Sequence, residues 1–130
     1  MLYGLQTLHD RLLKAVAGRS GEDALRYVCL TYVDFARSHP GLYEAALQPL
    51  RPEQEEAQQV GNQIVELLLQ ILAPYQFSEA DALHAVRTFR SLCHGFSSLE
   101  RAGQFAMDLN VDESLDFMIF SFVAGLQLQD

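Results

Sequence analysis

Glu113-Ser114-Leu115-Asp116-Phe117-Met118-Ile119-Phe120-Ser121-Phe122-Val123-Ala124-Gly125-Leu126-Gln127-Leu128 is the stretch on which the fold turns. Leu115, Met118, Ile119, Phe122 and Leu126 recur at steps of three and four, the spacing of one helical face. Phe117, Phe120, Ala124 and Leu128 fall on other faces, so this helix is apolar nearly all round and needs cover on every side. A chain of 130 residues has no core large enough to surround it. The pattern therefore predicts that one face packs on its own subunit and another on a second copy. Two such helices per chain make a four-helix seam across a two-fold axis.

The second of those helices precedes it. Ser78, with Asp81 three residues on, reads as a cap, and the helix runs from Glu79 to about Ala102. Ala85, Phe89, Leu92, Phe96, Leu99 and Gly103 step by 4, 3, 4, 3, 4 along it. Ala82, Val86 and Cys93 lie on a neighbouring face. The seam is assigned to Phe89, Phe96, Leu115, Ile119, Phe122 and Leu126. Asn110 or Asp112 caps the last helix.

Working back, Pro40, Pro49, Pro52 and Pro74 stand between periodic segments. Leu5, Leu8, Leu12 and Val16 mark a first helix over Leu2–Val16, ended by Gly18. A second opens at Ser20, with Asp23 completing a capping box, and stops before Pro40. Leu25, Val28, Cys29, Tyr32, Phe35 and Ala36 are its stripe. A short helix follows from Gly41 to about Gln48. Glu53, Glu55 and Glu56 open a fourth, whose Val60, Ile64, Leu68, Ile71 and Leu72 end at Pro74. Those carboxylates are either a solvated helix start or an acidic patch. No strand-like alternation survives, so the fold is an all-α bundle of about six helices in a single domain over residues 1–130.

Composition limits the function classes. The chain is 49% apolar or aromatic and 20% charged, a globular balance rich enough to want a covering partner. Its 17 acidic against nine basic residues give a net charge of −8, which disfavours direct contact with nucleic acid or an anionic membrane. Residues 115–128 are too short and too interrupted to span a bilayer, and no secretory signal opens the chain, so a cytoplasmic location is expected. Cys29 and Cys93 are expected to be free thiols.

Catalytic signatures are missing. Cys93 and His94 are adjacent, so on a helix they point about 100° apart and form no thiol–imidazole pair. No nucleophile elbow or phosphate loop occurs. Asp81-x-x-His84 approaches a di-iron motif once only, and His9, His39, His84 and His94 share no ligand spacing, so no metal, no cofactor and no enzyme are expected. Arg87, Arg90 and His94 share a helix face, which either receives an anionic ligand or pairs with nearby acids. Tyr32, Phe35, Tyr43, Phe89 and Phe96 mix rings with hydroxyls across three helices. They fit either a small-molecule pocket or plain core packing.

The run Tyr32-Val33-Asp34-Phe35-Ala36-Arg37-Ser38-His39-Pro40-Gly41-Leu42-Tyr43 resembles the mid-chain segment of tetracycline-repressor (TetR) family regulators. Leu92-Cys93-His94-Gly95-Phe96-Ser97-Ser98-Leu99-Glu100 resembles the Trp-His-Gly signature of one subclass of their C-terminal domains, with Cys93 in place of the usual Trp. Gly103-x-Phe105 and Asp112-x-x-Leu115-Asp116 fit the same pattern, so the resemblance covers nearly all of the chain. It implies a ligand-sensing homodimer module of a repressor. A small hydrophobic effector would be held by Tyr32, Phe35, Tyr43, Phe89, Arg90, Cys93 and His94. DNA would be met only through a helix-turn-helix that this sequence lacks, whether by truncation or by nature. A helical dimerisation module without ligand is the alternative.

Overall fold

A computed structural model describes residues 2–129. Among these the chain is all helical: α1 (Leu2–Val16), α2 (Gly21–Ser38), α3 (Pro40–Ala46), α4 (Glu55–Leu72), a 3-10 turn (Ala73–Tyr75), α5 (Glu79–Arg101) and α6 (Val111–Gln127). α2 is the central element and touches every other helix. Ala24, Leu25, Val28, Cys29, Val33, Phe35 and Ala36 bury it on several sides. α6 packs mainly on α2 and α5, which leaves one of its sides facing outward.

The helix limits follow local chemistry. Ser78 Oγ accepts from the Asp81 N–H at 3.1 Å, and Asn110 Oδ1 accepts from the Glu113 N–H at 3.0 Å, so both predicted caps form. The capping box at Ser20 does not. Its side chain makes no cap bond, Gly21 behind it takes φ +55°, and Asp23 instead pairs with Arg19. Glu53 lies outside α4, paired with Arg51 at 3.0 Å. Gly103 belongs to no apolar stripe. At φ +75° it ends α5, with the Gln104 N–H reaching the Leu99 carbonyl at 2.9 Å.

Two conspicuous residues of the Tyr32–Tyr43 run are structural ties. Arg37 donates from Nε and Nη2 to Glu100 at 2.7 and 2.9 Å, and from Nη2 to Asp112 at 3.0 Å. It thereby fastens the end of α2 to the end of α5 and the start of α6. His39 Nε2 lies 3.0 Å from an Arg11 nitrogen, joining α1 to the α2–α3 corner.

The apolar interior is divided. The larger cluster contains Leu8, Leu12, Val28, Phe35, Phe89, Cys93 and Leu115; a smaller one joins Leu5, Ala57 and Val60 near the start of α4. α1 leans closely on α3: a Cβ added to Gly4 would lie 2.7 Å from the Leu42 carbonyl oxygen.

Candidate functional site

A cavity of about 410 Å³ opens where five helices converge. Leu5, Leu8 and Leu12 of α1 form one wall, and Gly61, Ile64 and Leu68 of α4 face it. Val28 and Tyr32 of α2, Tyr43 of α3, and Phe89, Arg90 and Cys93 of α5 close the rest. The stepping of these residues along each helix is that of ordinary core stripes. Here the stripes converge on space rather than on one another.

The polar groups form a chain. The Tyr32 and Tyr43 hydroxyls are 2.8 Å apart, and the Tyr43 hydroxyl is 2.6 Å from His94 Nδ1. The two phenol rings meet edge to face at 5.5 Å. Burial, reinforced by the hydrogen bond to Tyr43, holds the Tyr32 phenol far above the ordinary tyrosine range. Burial raises Tyr43 as well, although its bond with Tyr32 works the other way. Both hydroxyls are therefore neutral donors and acceptors at neutral pH. Below them Cys93 Sγ donates to Cys29 Sγ at 3.3 Å, and both thiols are free and buried. That bond and burial push the Cys93 thiol well up, so it is no ready nucleophile.

Of the seven residues expected to hold a ligand, five line the cavity: Tyr32, Tyr43, Phe89, Arg90 and Cys93. His94 stands behind Tyr43, as its hydrogen-bond partner. Phe35 is elsewhere. Three residues from Tyr32 is about 60° round the helix, and its fully buried ring sits 5.7 Å from both the His39 ring and the Arg11 guanidinium. The leucines of α1 and the α4 wall were missed. A signal for the latter existed: Gln58, Gly61 and Asn62 interrupt the apolar side of α4, and all three line the cavity.

The expected seam residues lie inside the subunit. Phe89, Phe96, Leu115, Ile119, Phe122 and Leu126 are all buried within the single chain, though Phe122 and Leu126 still floor a groove between α5 and α6. Phe122 is occupied by Phe89, ring centres 5.3 Å apart. The outward face carries other residues: Phe117 (75% exposed) and Phe120 (71%) on α6, Leu128 (83%) just past its end, and Leu99 (47%) on α5. Between α5 and α6 this face holds a groove of about 660 Å³, lined among others by His84, Thr88, Leu92, Phe117, Ser121 and Gly125. The groove is the larger concavity, but it lies on the open face of two helices, whereas the smaller cavity is walled by five.

Among the described residues no group of three His, Cys, Asp or Glu is placed to hold a metal ion, and no helix is long and apolar enough to cross a membrane.

The chain has relatives among known proteins. Residues 25–122 match the family described as tetracyclin repressor-like, C-terminal domain. Over 128 residues the chain is 38% identical to the uncharacterized HTH-type transcriptional regulator YobS of Bacillus subtilis (strain 168); the match takes in 98% of this chain and 66% of that protein. In three dimensions it is similar to a solved protein of unknown function from Rhodococcus sp. RHA1, with TM-score 0.81 at 21% identity, over 96% of this chain and 68% of that one, a likeness of fold. The chain belongs to the C-terminal domain family of tetracycline-repressor-like transcriptional regulators.

Proposed function

We propose that this domain senses a small, mostly apolar effector in the cavity between α1 and α5 and passes its occupancy to a DNA-reading helix-turn-helix, as a repressor. The observation that carries this is the cavity itself, about 410 Å³ walled by five helices, where a plain dimerisation module would be packed solid. An occupant touches Leu5, Leu8 and Leu12, so it bears directly on α1. α1 in turn rests on the α3 backbone at Gly4. A shift of α1 against α3 would change the separation of two DNA-reading heads, which must match half-sites about 34–36 Å apart. On the other side Phe89 stands between the cavity and Phe122 of α6, a second contact route to the subunit face. The effector can bias these arrangements only by its difference in affinity for them.

We place the partner subunit on the outward faces of α5 and α6. Thr88, Leu92, Gly95 and Leu99 step along one helix, and Ser114, Phe117, Ser121 and Gly125 along the other. Large and small residues are mixed there, which lets facing helices of a four-helix seam interdigitate. Exposed phenylalanines of this kind mark an interaction surface rather than ordinary solvent-facing skin.

The test is a thermal melt of the purified protein against a panel of small amphiphiles. A saturable rise in melting temperature with at least one class is expected, following the concentration dependence of binding to the folded state alone. A panel spanning acids, alcohols and amines that leaves the melt unmoved would overturn the sensor reading.

A further inference from the structure

The cavity has a charge of one sign. Of the side chains that line it, only Arg90 is ionic, in a chain whose net charge is −8. Five other arginines, Arg19, Arg26, Arg37, Arg51 and Arg101, each face a carboxylate, Arg11 meets His39, and Arg87, which does not line the cavity, has no such partner among the described residues. Among the described residues Arg90 has neither a carboxylate nor a hydrogen-bond partner, although acidic side chains are nearly twice as numerous as basic ones. It stands four residues, about one turn, before His94, the partner of Tyr43.

A second observation points the same way. Tyr43 has one proton and two partners, Tyr32 and His94. When Tyr43 donates to Nδ1 of His94, the Tyr32 proton is used on Tyr43. When Nδ1 carries a proton, the chain reverses: His94 donates to Tyr43, Tyr43 donates to Tyr32, and the Tyr32 proton is free to turn into the cavity. Arg90 is near enough for its charge to be felt at the Tyr32 hydroxyl. With the chain running in this second direction the rim offers an exposed, unpaired cation and a hydroxyl donor, and no carboxylate.

We propose that the effector is an anionic amphiphile, with a single carboxylate held by the Arg90 guanidinium beside the Tyr32 hydroxyl and an apolar body lying against Leu5, Leu8, Leu12 and Leu68. This rests on the cavity being the effector site. A neutral ligand would leave Arg90 unpaired, and a cationic one would be opposed by it, so charge separates the classes that apolar walls cannot.

The experiment compares three probes of equal chain length, decanoate, 1-decanol and decyltrimethylammonium, below their micellar concentrations, by calorimetry and thermal shift. Decanoate is expected to bind about tenfold tighter than decanol at low salt, as a charge-assisted bond at a half-open rim allows. The preference should shrink as salt rises. Arg90→Gln should abolish the preference, with the melt of the unliganded variant as its folding control. Equal binding of decanoate and decanol, tightest binding of the cation, or a preference that survives Arg90→Gln would each overturn the proposal while leaving the cavity reading intact. Failure of all three probes to bind would overturn both.

Discussion

Gly61→Leu should stabilise the unliganded protein and block its cavity. Gly61 lies inside α4 and lines the cavity, and a Cβ built there meets nothing within 4 Å. Replacing an interior helical glycine by a good helix former stabilises by about 1 kcal/mol. Placing a leucine against apolar walls adds roughly half of its full burial value, about another 1 kcal/mol. With an unfolding entropy of about 2.1 cal/mol/K per residue, a chain of this length gains about 4 °C of melting temperature per kcal/mol, so the rise should be about 7 °C. Melts followed by circular dichroism check this, and a titration with decanoate should show binding lost in the same variant. A fall in melting temperature would mean that the space is filled, and would refute the cavity. Cys93→Trp is a poorer probe. The Cys93 sulfur already lies 3.3 Å from Cys29 in a fully buried setting, so enlargement there overpacks the core whether or not a cavity adjoins it.

Gly4→Ala should destabilise by roughly 1 kcal/mol or more in urea unfolding despite alanine's better helix propensity, because the new methyl meets the Leu42 carbonyl at 2.7 Å and the backbone must move; a stabilised variant would show that α1 and α3 separate freely. Phe117→Glu should give a folded monomer by light scattering, since that ring is 75% exposed, whereas Ile119→Glu should unfold the chain by burying an unpaired charge; a Phe117→Glu protein that stays dimeric would remove the seam from that face. Tyr32, Tyr43 and Tyr75 are all raised above the ordinary value of 10.0, chiefly by burial. The unfolded chain therefore releases these protons first, and stability should fall as pH climbs above about 10. An alkaline absorbance titration in which all five tyrosines ionise at that pH without unfolding would contradict this.

The helices were legible because apolar steps of three and four, prolines and cap residues are local features. Asn110 and Ser78 announce themselves as caps through their own side chains. Ser20 did not behave as one because the backbone of Gly21 behind it left the usual path. Which residues of α6 are left for a partner was not legible for a tertiary reason. α6 is apolar on nearly every side, and only the positions of α2 and α5 decide that Leu115 and Ile119 face inward and Phe117 outward. The cavity was half legible. Tyr32, Tyr43 and Arg90 drew notice because hydroxyls and a cation are unusual beside an apolar stripe. Leu5, Leu8 and Leu12 carried no such mark, since a leucine facing a void and a leucine facing another leucine leave the same pattern.

The location of a bound ligand tests the central claim most directly. Intermolecular nuclear Overhauser effects between decanoate protons and the methyl groups of the protein report contact rather than indirect shifts. They should appear at Leu5, Leu8, Leu12 and Leu68, which line the inner cavity. Contacts instead to Leu92, Met118 and Leu126, which line the groove on the α5–α6 face, would place the ligand on the subunit surface and contradict the account.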